Sequence, residues 1–362
     1  MNNYIPTFTD ISNWSINPYS STGGTRSKKI YVNPENDKNY FFKGSKETKE
    51  GSIRYPLEFW SEIIASKIGQ WFGFDLLDYN IAYDKSSKQP LGCLSKSMIK
   101  NSTDTLTEGI EYLRGYDANY NPNTDENRYT LDFIIDSLDT FQLKDAENKI
   151  IEMMIFDALI GNSDRHQENW GFITLYQEKL DELNRKINSE NDVINKIKAK
   201  FHHFFMKLIH QLRKFDEERE NGIKRNTLLN QSNFANSLFS PIYDSGCCLG
   251  RELDDDKIIG YNSSSELLGK YASKGLSEIR LENGKKPKHF DVLFKIKELY
   301  PEIFNSIQDR IKINFNLNDL TLLIQNIDRE LPDHLNSSKL PDIRKKFIIN
   351  LVSLRVVRIL HL

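Results

Sequence analysis

Apolar positions along the first hundred residues come in short alternating runs before they recur at helical spacing. Lys28-Lys29-Ile30-Tyr31-Val32 and Tyr40-Phe41-Phe42-Lys43-Gly44 flank a turn-rich heptapeptide, Asn33 to Asn39, and this predicts a β-hairpin over 28–44. From Pro56 to Phe72 the apolar residues Leu57, Phe59, Trp60, Ile63, Ile64, Ile68 and Trp71 fall on one helical period. Pro56 suits a first turn and Gly73 an end. Leu76 to Tyr83 and Gly92 to Met98 read as further strands. Residues 1–100 are therefore expected to form a small lobe, an antiparallel sheet carrying one helix. Upstream of the hairpin, Ser20 to Lys28 is a small-residue loop with room for a phosphate.

The remainder, 101–362, reads as a mainly helical lobe, with helices over 125–142, 147–160, much of 174–220, 264–274, 290–312 and 317–362. A polar loop, Gly161 to Phe172, directly follows the apolar run Ile150 to Ile160. A charged loop carried by a buried helix is a frequent place for chemistry. Within a helical insertion at 176–237, Leu180, Leu183, Ile187, Ile194, Ile197, Phe201, Phe204 and Leu208 alternate by three and four. No acidic residue lies between Val193 and Phe215, whereas Lys196, Lys198, Lys200, Lys207, Arg213 and Lys214 do. Residues 194–215 thus form a basic amphipathic helix. It either packs on the large lobe or docks a partner, nucleic acid or an anionic surface.

Composition narrows the class. Hydrophobic residues make up 38% and charged residues 28% of 362, which excludes a disordered chain and a polytopic membrane protein. The net charge of −2 supplies no global field for nucleic acid, so any such contact is local. Cys93, Cys247 and Cys248 are too few for a disulfide framework or a four-thiolate zinc site, and a reducing cytoplasm is the expected compartment. The N-terminus has no signal-peptide pattern. Glu152 and Asp157 interrupt the most apolar stretch, so integral membrane association is not expected. His202, His203 and His210 have no matching carboxylate or thiol set for zinc.

Phosphoryl transfer needs a cation for ATP phosphates, oxygen ligands for a metal and a carboxylate near the attacking hydroxyl. Asp164 and Asn169, five apart in the polar loop, have the spacing that lets one residue face a hydroxyl and the other Mg²⁺. Lys43 on the second hairpin strand is placed to meet phosphates beneath the glycine-containing loop. Glu58 or Glu62 on the following helix is placed to pair with it, and the more apolar surroundings favour Glu62. Asp244, in Pro241-Ile242-Tyr243-Asp244-Ser245-Gly246, offers a second metal ligand. His166 is expected to order the loop, Cys247-Cys248 to pack under the metal-binding segment, and Glu252 to Asp256 to form a solvated loop.

Ser21-Thr22-Gly23-Gly24-Thr25-Arg26-Ser27-Lys28, Phe42-Lys43, Glu62 with Gly73, and above all Asn162-Ser163-Asp164-Arg165-His166-Gln167-Glu168-Asn169 resemble the HipA-type serine/threonine kinases of bacterial toxin–antitoxin modules. The resemblance covers roughly 14–175 and 238–300 and suggests a short form without the family's N-terminal subdomain. It implies an α+β, two-lobed protein-kinase-like fold and an ATP- and Mg²⁺-dependent kinase. By that resemblance Asp164 is the catalytic base, Asn169 and Asp244 hold Mg²⁺, and Lys43 contacts phosphate with Glu62 as its partner. Ser21, Gly23, Gly24, Lys28, Ser97, Met98 and His166 would border ATP, the strand Leu94 to Met98 forming the adenine hinge. Ser21, Gly24 and Lys28 also match the family's self-phosphorylated loop. A protein substrate with a serine or threonine acceptor is implied, with an antitoxin or other regulatory protein as partner. Two further readings stay open: a small-molecule kinase of the same fold, and an inactive pseudokinase that displays helix 194–215.

Overall fold

The computed structural model describes residues 4–17, 28–45, 52–143, 145–189, 192–215 and 236–362, with Lys28 and residues 209–215 described in backbone only. The expected loop residues Ser21, Gly23 and Gly24 lie outside these, as does the side chain of Lys28.

In the N-terminal lobe the strands β1 (Phe8–Asp10), β2 (Ser15–Ile16), β3 (Lys28–Asn33), β4 (Lys38–Lys43), β5 (Tyr79–Tyr83) and β6 (Leu91–Lys96) form a sheet in the order β1-β5-β6-β4-β3-β2. β3 and β4 are the hairpin expected from the alternating runs, with Lys28 opposite Lys43 and Asn33 opposite Lys38. Opposed residues of an antiparallel pair share a face. Lys43 and Cys93 therefore point to one side of the sheet, and Phe42 and Leu94 to the other. The first side is covered by α1 (Glu58–Trp71), which is buried on almost every position. The second carries a small core of Ile11, Tyr31, Phe42, Ala82 and Leu94.

The C-terminal lobe is mainly helical. A second, antiparallel sheet is formed by β7 (Thr105–Glu108), β8 (Gly171–Leu175) and β9 (Asn236–Phe239), and α2 (Gly109–Tyr116), α3 (Leu131–Thr140) and α4 (Ala146–Ile160) lie between β7 and β8 in the chain. Between β8 and β9 rise α5 (Tyr176–Ser189) and α6 (Val193–Phe215), packed on each other. α7 (Asp255–Ser263), α8 (Ser265–Lys274), α9 (His289–Leu299), α10 (Pro301–Asn314), α11 (Leu317–Gln325) and α12 (Asp342–Leu360) complete the lobe. α4 is its centre. α9, α10 and α12 pack on it, and Ile150, Ile151, Met153, Met154, Ile155, Phe156, Leu159 and Ile160 are all buried. Each such side chain contributes roughly 1.5–3 kcal/mol, which holds the following loop on a rigid base. The lobes meet where Leu76 pairs with Ile242: Leu77 N–H donates to the Ile242 carbonyl at 3.0 Å and Ile242 N–H to that of Asp75 at 2.8 Å.

Several expectations are corrected. The small sheet is not wholly antiparallel, because β1 pairs with β5 in parallel. A helix over 125–142 shortens to α3, where the Thr130 hydroxyl accepts from Phe133 N–H and so sets the start. The single helix over 290–312 is two: Pro301 disfavours helical backbone at Tyr300 and begins α10. The span 317–362 likewise divides into α11 and α12, with Pro332 and Pro341 in the intervening turns. The stretch Glu252 to Asp256 is not simply a solvated loop. Asp254 caps α7 by accepting from Lys257 N–H, and Asp255 and Asp256 occupy its first turn, where the helix dipole favours acidic groups.

Candidate active site

α4 ends at Gly161 in the left-handed region, φ 72°, and a Cβ there would stand 3.0 Å from the Arg355 guanidinium. Glycine is thus required on both conformational and steric grounds. Arg355 is itself buried, donating to Ala158 O at 2.6 Å and Ala272 O at 2.9 Å, so it caps the C-terminal carbonyls of α4 and α8 together. Burial pushes its pKa down to about 10.

The loop from Asn162 to Asn169 turns on Arg165, one of the largest fully buried side chains. Its Nε and Nη2 donate to the two carboxylate oxygens of Asp157 at 2.9 and 2.8 Å. Nη1 donates to Asn169 O at 2.8 Å and to Tyr243 O, and Nη2 also to Ser245 Oγ at 2.9 Å. Burial opposes the charge on Arg165, but the Asp157 carboxylate outweighs it and the pKa is raised. Asn162 Nδ2 donates to the same Asp157 at 2.8 Å. One buried carboxylate on α4 thereby orients the loop, and one guanidinium fastens the loop to the segment 243–245.

Asp164 is half-buried in this frame. Its carbonyl accepts from Asn169 Nδ2 at 2.7 Å, and its carboxylate lies 3.0 Å from Cys247 Sγ. Arg251 Nη2 reaches Cys247 Sγ at 3.0 Å, its Nη1 pairs with Glu58 at 3.1 Å, and its guanidinium stacks 4.3 Å over the Tyr55 ring. His166 Nδ1 accepts from Glu168 N–H at 3.4 Å and its carbonyl from Asn169 N–H at 2.9 Å, so the residue shapes the turn.

Across from the loop, Lys43 Nζ lies 2.6 Å from Glu62 Oε2 and 2.5 Å from Asp244 Oδ1. Glu62 Oε1 also accepts from Ser245 N–H at 2.6 Å. Of the two glutamates considered for Lys43, Glu62 is therefore the partner, while Glu58 turns to Arg251. Asp244 adopts φ 54°, a left-handed conformation that costs a non-glycine residue energy and marks a strained position beside the lysine.

The structure thus brings Lys43, Glu62 and Asp244 into one cluster, linked through Ser245 and Arg165 to the loop of Asp164 and Asn169. Ser97 and Met98 are not part of it. They line a cleft of about 940 Å³ with Leu94, Lys96 and Leu76, and none of Lys43, Glu62, Asp164, Asn169 or Asp244 borders that cleft. Among the described residues no three His, Cys, Asp or Glu side chains cluster as a metal site. Mg²⁺ asks for less, since it is commonly held by one or two protein oxygens with phosphates and waters. The hard oxygens of Asp244 and Asn169 suit it, and the Asn169 amide, donating through Nδ2, keeps Oδ1 as its acceptor.

Sequence reasoning passed over Asp157 and Arg165 as contributors to the site, whereas Cys247, expected to pack under the metal-binding segment, meets the Asp164 carboxylate. Asp157 was visible only as a charge interrupting an apolar run, and Arg165 as part of a motif. Their contact depends on the backbone path of the helix end and loop between them, eight positions apart in the chain, which spacing alone does not decide.

No protein-family model matches the sequence, and no curated protein matches it in sequence. In three dimensions the chain is similar to the crystal structure of the Helicobacter pylori proinflammatory kinase CtkA, with a TM-score of 0.66 and 18% identity over 98% of this chain and 96% of that chain. The fold is kinase-like. Within a kinase-like fold the sheet lobe carrying Lys43 and the helical lobe carrying Asp164 face each other, and the α5–α6 hairpin interrupts the β8–β9 strand pair of the helical lobe. No helix among the described residues is long and apolar enough to cross a membrane.

Proposed function

We propose that the protein is an ATP- and Mg²⁺-dependent kinase acting on serine or threonine hydroxyls of a protein substrate. The observation that carries this reading is the buried ion cluster in which Lys43 Nζ stands 2.6 Å from Glu62 and 2.5 Å from Asp244. A buried lysine held by a helix glutamate is oriented to place its ammonium on nucleotide phosphates. Asp164 accepts the proton of the attacking hydroxyl as the new O–P bond forms and the bond to the leaving phosphate oxygen breaks. Asn169 and Asp244 are the residues that would hold Mg²⁺, which neutralises charge on the phosphate oxygens. Arg165 keeps Asn169 and the 243–245 segment in register through its donation to Asn169 O, Tyr243 O and Ser245 Oγ. The kinase named as the structural neighbour supports the reaction class.

The test is the intact mass of wild type and Asp164→Ala after incubation with ATP and Mg²⁺, together with an ATP-dependent thermal shift. A phosphoryl group on the wild type alone supports the reading, and its location on Ser21 adds self-phosphorylation of the glycine-containing loop. A thermal shift without self-modification directs the search to an exogenous protein. Neither modification nor shift overturns the reading in favour of a non-catalytic binding module.

A further inference from the structure

The α5–α6 hairpin has a side that the proposed chemistry does not use. Its internal core is small: Tyr176, Leu180 and Leu183 of α5 meet Met206 of α6. Taking about 100° per residue, Ile194, Ile197, Phe201, Phe204 and Leu208 fall within about 80° of arc on α6, and Met206 lies about 160° from the middle of that arc. The helix therefore packs one face on α5 and turns its bulkiest apolar face outward. Ile194, Ile197, Phe201 and Phe204 are each more than three-fifths exposed. Lys198 borders this stripe on one flank, Lys200 and Lys207 on the other, and all three are exposed. No acidic residue interrupts 193–215.

We infer that α6 docks the protein onto an anionic lipid surface. A flat bilayer interface accepts the apolar stripe at the level of the acyl chains and meets lysines on both flanks at the level of the headgroups. The 23 residues of α6 give a helix about 34 Å long, enough for several turns to lie in the interface plane. A second copy of the chain is disfavoured as occupant, because stripe-to-stripe contact would set lysine flank against lysine flank. A protein partner would need an apolar groove with carboxylates along both rims, a more special surface than a bilayer rich in phosphatidylserine. The attachment is peripheral, and it stands independently of the kinase reading.

The experiment is flotation of the full chain with vesicles of phosphatidylcholine alone and with roughly one-third phosphatidylserine, at roughly 0.05 M and 0.5 M salt. The expected result is binding at least about tenfold stronger to the anionic vesicles, weakened at high salt, since the lysines flanking the stripe are drawn to anionic headgroups and that attraction is screened by salt. The double variant F201S/F204S, at exposed positions, is expected to keep the wild-type melting temperature and lose more than about tenfold in vesicle binding. The variant K198E/K200E is expected to lose the preference for anionic lipid. Equal binding to both vesicle types, or vesicle binding unaffected by F201S/F204S, overturns the inference. Loss of a dimer in light scattering on F201S/F204S, without vesicle binding by wild type, assigns the stripe to a second copy instead. Wild-type capture by an acidic polypeptide such as polyglutamate, again without vesicle binding, assigns it to a protein.

Discussion

Lys43 Nζ and Asp244 Oδ1 lie 2.5 Å apart although they stand 201 positions apart in the chain. The same ammonium holds Glu62, so two carboxylates from different lobes share one buried cation. Removing the cation leaves both carboxylates facing each other in a site where water is scarce, which costs on the order of 3–5 kcal/mol. Lys43→Met is accordingly expected to lower the melting temperature measurably and to abolish phosphoryl transfer. Glu62→Gln, which keeps the shape and a hydrogen bond, is expected to retain most of the stability while reducing turnover. Melting curves and a phosphorylation assay on the two variants check this; equal stability of Lys43→Met and wild type would contradict the role given to the cluster.

Arg165 is the residue through which helix, loop and the 243–245 segment are joined. A lysine at this position carries the same charge but not the planar fork that binds Asp157 through two nitrogens while reaching three other acceptors. Arg165→Lys is expected to destabilise the protein by about 3 kcal/mol, because the charge is kept but several buried acceptors lose their donor. Urea unfolding reads the change directly, and a shift below about 1 kcal/mol would remove Arg165 from the framework of the site.

The thiol of Cys247 abuts the Asp164 carboxylate at 3.0 Å. A weak donor in that position is replaceable, so Cys247→Ala is expected to change turnover by no more than several-fold. Cys247→Asp sets a second carboxylate against the first, and two like charges at that range disfavour the ionised base. The expected loss there is more than about a hundredfold in kcat. Similar rates for the alanine and aspartate variants would show that Asp164 is not the base.

His289, the first residue of α9, is buried, and burial followed by the neighbouring Arg355 pushes its pKa down to about 3, against a backbone hydrogen bond to Asn162 that favours the charged form. The folded protein therefore carries His289 neutral, while the unfolded chain takes up the proton near the ordinary value of about 6.5. The contribution is fully present above that pH and is lost as pH falls from about 6.5 towards 3, at up to about 1.4 kcal/mol per unit. Between pH 7 and 5 the wild type is expected to lose about 2 kcal/mol more than His289→Gln. Denaturant titrations of the two proteins at both pH values measure it; parallel losses would exclude His289 as the titrating group.

The local order of elements was legible because it rests on short-range patterns. The hairpin 28–44 followed from two aromatic and β-branched runs around Asn-Pro-Glu-Asn, α1 from its apolar period, and the start of the polar loop from the apolar helix before it. Where the pattern was continuous but the backbone was not, the reading failed, as at Pro301, Pro332 and Pro341, whose rings restrict the residue before them. The parallel β1–β5 pair and the three-stranded β7-β8-β9 sheet were invisible, since their partners lie far apart in the chain and each strand is only a few residues long.

The order of residues supplies the side chains: a strand lysine, a helix glutamate, the Asp164–Asn169 spacing and a carboxylate before Ser-Gly. Packing selects among them, so that Glu62 and not Glu58 meets Lys43, Asp157 and Arg165 bind the loop to the 243–245 segment, and the apolar stripe of α6 faces away from its own hairpin. The difference is one of range. Propensity and periodicity act over a few residues, whereas a buried ion pair forms only where packing of distant elements brings the two charges together and excludes water from between them.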